Sequence, residues 1–85
     1  MPYALALRPA AERSLNALPE SVFRHVDRHI QDLAQNPRPR GTKKLAGKKN
    51  FYRIRSGDYR IVYHVEDKTK VVTVTHVAHR REVYR

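Results

Sequence analysis

Apolar positions along the chain change period once, near residue 50, which divides the sequence into a helix-forming part and a strand-forming part. Tyr3-Ala4-Leu5-Ala6-Leu7 is a short apolar run stopped by Arg8 and Pro9, too short for a helix and suited to a strand. Pro9 fits a first helical turn, because it has no N–H to leave unpaired. Ala11, Leu15 and Leu18 follow at four- and three-residue spacing and Pro19 closes the segment, predicting a short helix over about 9–18. After Pro19, Val22, Phe23, Val26, Ile30, Leu33 and Ala34 line one side of a second helix, and Arg24, Asp27, Arg28, Gln31, Asp32 and Gln35 fill the other. Asn36-Pro37 ends it, since a residue before proline is pushed out of the α region. Two helices so closely joined are expected to form an antiparallel hairpin.

Residues 37–50, PRPRGTKKLAGKKN, form a Pro/Gly/Lys-rich connection with one apolar anchor, Leu45. Beyond it the period is 2. Strands are expected over 51–55, 58–66 and 70–77, joined by Ser56-Gly57 and Asp67-Lys68, and such short turns make antiparallel neighbours. Tyr59, Ile61, Tyr63 and Val65 fall on one face of the middle strand and suit a core against the helices. Val71, Val72, Val74 and Val77 do not fit one parity, which points to a bulge in the last strand. Residues 78–85 suffice for an edge strand and a tail. The expectation is a single domain over 1–85 of the α+β class: an N-terminal strand, a helical hairpin, then an antiparallel sheet of three to four strands packed on the helices.

Composition turns this layering into a statement about partners. The chain carries 18 Lys and Arg against 8 Asp and Glu, a formal net charge of +10, and no cysteine. Residues 1–36 balance four arginines against four carboxylates, so the whole excess lies in 37–85. A polarised basic surface of this kind suits a polyanion. Lack of cysteine excludes disulfides, a thiolate nucleophile and a Cys-based zinc site, and fits a reducing compartment. Neither a membrane span nor a signal peptide is present in the pattern, so a cytoplasmic location with no membrane partner is expected.

If the helices cover the Tyr59/Ile61/Tyr63 face, the opposite face carries Arg53, Arg55, Arg60 and His64. Arginine offers a planar fork of donors matched to phosphate and stays charged near neutral pH. Three on one face repel one another, which an anion would relieve. Lys43, Lys44, Lys48 and Lys49, with Arg38 and Arg40, form a loop able to dock nucleic acid without reading its sequence. Near the C-terminus, Tyr84 among Arg80, Arg81 and Arg85 suits stacking on an unpaired base. His79 lies directly before Arg80-Arg81 and is a candidate acid or base, as are Glu82 and His64. His25/His29 and His76/His79 have spacings a metal could use, but no HExxH pattern, cysteine or carboxylate completes a site, so no metal and no cofactor is expected.

The segments Leu33-x-x-Asn36-Pro37, Lys44-Leu45-x-Gly47, Tyr52-Arg53-Ile54-Arg55-x-Gly57-Asp58-Tyr59-Arg60-Ile61-Val62-Tyr63 and Val77-x-His79-Arg80-Arg81-Glu82-Val83-Tyr84-Arg85 closely resemble the RelE branch of the RelE/ParE toxin superfamily. The resemblance covers essentially the whole chain. It implies the RelE-like microbial RNase fold and a toxin of a type II toxin–antitoxin pair: a metal-independent endoribonuclease that cuts messenger RNA in the ribosomal decoding site and inhibits translation. It also implies a mostly acidic antitoxin as partner, with operator DNA bound only through the toxin–antitoxin complex. Carried over by position, the family's catalytic set falls on Arg53, Arg55, Arg60, Arg80 and Tyr84. Well-known members carry lysine where this chain has Arg53 and Arg55, and arginine is a poor general base, so either His79, Glu82 or His64 takes the proton or the reaction relies mainly on positioning within the ribosome. The ParE branch, which shares the fold and poisons DNA gyrase without cutting RNA, is the alternative, and a non-enzymatic basic RNA- or DNA-binding module is a third class.

Overall fold

The computed structural model describes residues 2–83, with the backbone alone for residues 82 and 83. Tyr84, Arg85 and the Glu82 side chain, all expected at the site, therefore lie outside the described residues. The elements run β1 (Ala4–Leu7), α1 (Pro9–Asn16), α2 (Glu20–Asp32), β2 (Lys43–Lys44), β3 (Phe51–Ser56), β4 (Tyr59–Glu66), β5 (Val71–His79) and α3 (Arg80–Val83). Pro9 opens α1 as its lack of an N–H suggests. Helix α2 stops at Asp32, four residues before Asn36. Leu33, Ala34 and Gln35 bond back to the carbonyls of Ile30, Gln31 and Asp32 at 3.0–3.1 Å, a tightening of the last turn to i→i+3 bonds.

The sheet has five strands in the order β1-β5-β4-β3-β2, where the pattern predicts an N-terminal strand and three to four antiparallel ones. Two features account for the difference. β1 inserts parallel to β5, pairing Ala4 with Val71 and Leu7 with Val74; this neighbour lies some seventy residues away, beyond the reach of any local period. β2 is a two-residue edge strand inside the lysine-rich connection, opposite Tyr52 and Arg53. The remaining pairs, β3 with β4 and β4 with β5, are antiparallel as the short turns require. The valine parity conflict resolves as a register shift: Val62 faces His76 and Tyr63 faces Val74, leaving Thr75 as the extra residue. The segment expected as an edge strand and tail instead continues β5 to His79 and turns into α3, which packs on β5 and β4.

Both helices cover one face of the sheet. Ala11, Leu15, Val26, Ile30 and Leu33 meet Ile54, Ile61, Tyr63, Val65, Val72, Val74 and Val77 in one buried cluster. Each fully buried Ile, Leu or Val contributes about 1.5–3 kcal/mol through apolar surface removed from water. The period-2 alternation of β4 decides which side chains these are, and so fixes which ones face away.

The 37–50 connection is held at more than Leu45. The buried Tyr63 hydroxyl donates to the Pro37 carbonyl at 2.7 Å, and its burial raises the phenol's pKa above 10.0. The Arg38 fork meets both oxygens of Asp67, at 2.8 and 3.3 Å, while its Nε donates to Tyr52 Oη at 3.2 Å. Tyr3 Oη donates to Asp67 Oδ1 at 2.6 Å. Arg38, expected among RNA-docking residues, thus carries a structural duty: it ties the connection to the β4–β5 turn and the N-terminal strand.

These bonds, Arg38 first and Tyr3 second, hold the Asp67 carboxyl below its ordinary 3.8. The folded-state pKa is the lower one, so the stabilisation is fully present above the unfolded value and disappears as pH falls through the folded one. Asp67→Asn is expected to lower the melting temperature modestly at neutral pH. Melts recorded from pH 7 downward should show that difference closing below about pH 4; a difference that persists at pH 2 contradicts the ion-pair account.

Candidate functional site

On the sheet face away from the helices, cross-strand partners set the side chains in rows. Lys43, Arg53, Val62 and His76 form one row, and Arg55, Arg60 and Ala78 form the next. Partners across an antiparallel pair share a face, so strand parity alone brings Arg53, Arg55 and Arg60 together from two strands. A cleft of about 330 Å³ opens beside them, lined by Gly41, Lys43, Arg53, Ile54 and Arg55. Gly41 has φ +91°, a conformation that L side chains rarely adopt. It was not among the expected site residues, and only its place in a turn-forming Arg-Gly-Thr stretch hints at it.

The three arginines are not equivalent. Arg55 is exposed and Arg53 half-buried, but Arg60 is 2% exposed. The reading of an open basic sheet is therefore corrected at Arg60: it lies on the expected face but is buried, in the row that ends at Ala78. Like charges directly opposite each other on neighbouring strands, as Arg55 and Arg60 are, are unfavourable, and an anion beside them would offset that cost.

Arg80 comes to the same end of the sheet. Its backbone N–H donates to the Asp58 carbonyl at 2.7 Å and its guanidinium lies 3.9 Å from the Asp58 carboxylate, both side chains remaining largely exposed. Asp58, in the turn between Arg55 and Arg60, thereby links the start of α3 to the arginine hairpin. On the far side of that turn the His29 ring pairs with the buried Ser56 hydroxyl at 2.7 Å, fastening α2 to the hairpin. No sequence signal marked either contact.

The candidate bases separate. His64 sits on the arginine face, one row beyond Arg53, packed edge-to-face on Phe51 with ring centres 4.9 Å apart. His79 is paired with Tyr59, on the parity that faces the helices, and packs edge-to-face against that ring at 5.3 Å. Its Nδ1 accepts the Arg81 backbone N–H at 3.2 Å. By strand parity His79 thus falls on the face opposite Arg53, Arg55 and Arg60. Arg40, Lys43, Lys44, Lys48, Lys49 and Arg81 are exposed. His25 and His29 touch edge to face at 4.9 Å, and among the described residues no group of three His, Cys, Asp or Glu converges on one point. Among them, too, no helix is long and apolar enough to cross a membrane.

Residues 5–84 match the family model described as ParE toxin of type II toxin–antitoxin system, parDE. Toxin RelE of Mycobacterium tuberculosis (strain ATCC 25618 / H37Rv) is 33% identical over 85 residues, covering 99% of this chain and 88% of that protein. Toxin RelG of the same strain is 32% identical over 89 residues, covering 100% and 99%. Among solved structures, the archaeal RelE–RelB complex from Pyrococcus horikoshii OT3 superposes with a TM-score of 0.83 at 30% identity, over 94% of this chain and 97% of that one. The isolated E. coli RelE toxin gives 0.80 at 31% identity, over 96% and 90%.

Proposed function

The chain belongs to the ParE toxin family of type II toxin–antitoxin systems and is a RelE-like toxin, and from that premise we propose that it is a ribosome-dependent endoribonuclease that cuts messenger RNA in the decoding site and stops translation. The observation that carries this reading is the shared sheet face of Arg53, Arg55 and Arg60, the first two of which line the cleft with Lys43 and Gly41.

In the proposed reaction the RNA 2′-hydroxyl loses its proton and attacks the adjacent phosphorus. The P–O5′ bond breaks, leaving a 2′,3′-cyclic phosphate, and the departing 5′ oxygen gains a proton. Arg53, Arg55 and Arg60 hold the negative charge that grows on the non-bridging oxygens, an electrostatic contribution of a few kcal/mol per preorganised donor. Arg80, linked to Asp58, serves the leaving oxygen, and Tyr84 stacks on a base beside the scissile bond. His64, on the arginine face, or Glu82 takes the proton. No metal or cofactor takes part. Arg40, Lys43, Lys44, Lys48, Lys49, Arg81 and Arg85 dock ribosomal RNA through its backbone, in the cytoplasm. Solved RelE relatives form complexes with RelB antitoxins, and an acidic antitoxin of that kind would neutralise this chain by covering its basic face. The complex would in turn bind operator DNA and repress its own operon.

Mapping transcript ends by primer extension after induced expression tests this reading. Codon-phased cuts confined to translated messages are the expected result. The name of the matching family model favours one second reading, ParE-like inhibition of DNA gyrase; growth arrest with DNA damage and intact transcripts would establish that reading and overturn the first.

A further inference from the structure

The arginine face is not charged throughout. Next to the Arg53 row lies a groove of about 290 Å³ walled by Leu45, Phe51, Val62 and Ala78, with Thr75 and His76 as its polar part. Ligand pockets begin at about 300 Å³, so the space suits one flat, base-sized group and little more. Its polar part is a product of the bulge. In a regular strand Thr75 and His76, adjacent in sequence, would point to opposite faces; with Thr75 as the extra residue, both line the groove.

Hydrogen bonding then gives the groove a polarity. The Thr75 hydroxyl donates its one proton to the Val62 carbonyl at 3.2 Å. The His76 Nδ1, 3.0 Å from the Thr75 hydroxyl oxygen, is therefore the donor of that pair. A neutral His76 with its proton on Nδ1 offers Nε2 as an acceptor, suited to an amino or imino N–H at the edge of a ring. Phe51 supplies an aromatic wall, and the Lys48 ammonium lies 5.6 Å from its ring centre. Val62, in the groove wall, is the cross-strand partner of Arg53, in the wall of the arginine cleft. Antiparallel partners are about 4.5–5.5 Å apart, so a phosphate held by Arg53 has its own base within reach of the groove.

We propose that this groove is a nucleobase subsite: it takes one unstacked base, amino edge toward His76 and flat face along Phe51, from the strand whose phosphate lies among the arginines. Lys48 in the groove wall, and Arg53 in the wall of the neighbouring cleft, favour a nucleotide over a neutral apolar group of equal size. The assignment rests on the nuclease reading for the identity of the strand, and it adds to that reading a place where base identity is sensed.

Titrating the intact protein at low salt with adenosine 3′-phosphate, ribose 5-phosphate and inorganic phosphate, followed by NMR, tests it. Adenosine 3′-phosphate is expected to bind roughly five- to hundredfold more tightly than ribose 5-phosphate, the value of one base stacked on an aromatic side chain. Its addition should shift Phe51, Val62, Thr75 and Ala78 signals. In Phe51→Leu, which keeps an apolar side chain and removes the flat face, the nucleotide's advantage should fall to less than threefold while phosphate binds unchanged. Equal affinities for the three probes, shifts confined to the arginines, or an undiminished advantage in the variant would each overturn the proposal. Occupation of the groove by N-acetyl-leucinamide but not by the nucleotide would overturn it in favour of a protein side chain. Transcripts cut in cells by a protein whose groove ignores nucleotides would remove the subsite alone; a nucleotide-filled groove with uncut transcripts would remove the nuclease reading alone.

Discussion

Arg55→Ala is expected to slow cleavage of ribosome-bound message by roughly 10²–10³-fold, the usual cost of deleting one preorganised donor to a developing oxyanion. Single-turnover cleavage on purified ribosomes, with the variant at saturating concentration, reads this directly. The guanidinium is exposed on the cleft wall and its cross-strand partner is another arginine. Removing it takes away a repulsion and uncovers no core, so the melting temperature should stay level or rise slightly. A variant that melts normally and cleaves at the wild-type rate would exclude Arg55 from the reaction. One that melts lower would show that Arg55 makes a supporting contact.

Arg60→Ala is expected to abolish growth arrest, with a physical signature different from that of Arg55→Ala. Its side chain is 2% exposed. Truncating so large a buried side chain leaves a cavity, and the unfolding free energy should fall by about 2–5 kcal/mol. For a chain of this length that is a large share of the total. Urea titration monitored by circular dichroism measures the loss, and only the folded fraction should be used in the activity assay. Arg60→Lys separates the two roles. It keeps the charge and most of the stem yet cannot present two parallel donors, so it should recover much of the stability while cleavage stays at least tenfold slow. Full activity in Arg60→Lys would mean that charge alone matters at this position.

The opposite signs expected in stability follow from neighbouring residues whose sequence pattern is alike. Arg55 and Arg60 fall on the same face by parity, and nothing local distinguishes them. Whether each is covered depends on the packing around the finished sheet, which leaves Arg55 exposed and Arg60 buried. Arg38 is a similar case. Within a run of prolines and lysines it looks like a docking charge, and only the arrival of Asp67, 29 positions later, makes it a strut. His79 shows the reverse. Its position beside Arg80-Arg81 suggests chemistry, yet alternation along β5 places it with Tyr59 on the helix side. That parity becomes readable only once the Thr75 bulge is located, because one extra residue exchanges the faces of everything beyond it.

The sequence by itself determined the order of the first strand, the two long helices and the three long strands, the change from helical to strand period near residue 50, the core face of β4, the shared face of Arg53, Arg55 and Arg60, and the confinement of positive charge to the C-terminal part. All of these are encoded within a few residues, because side-chain direction repeats every 3.6 residues in a helix and every 2 in a strand. The tertiary structure alone decided the parallel insertion of β1 beside β5, the burial of Arg60, the Arg38–Asp67 pairing and the meeting of Thr75 and His76 in one groove. Each depends on a neighbour distant in sequence or on the register of a whole strand. Local period states which way a side chain points; the packing of elements brought together from far along the chain states what it meets.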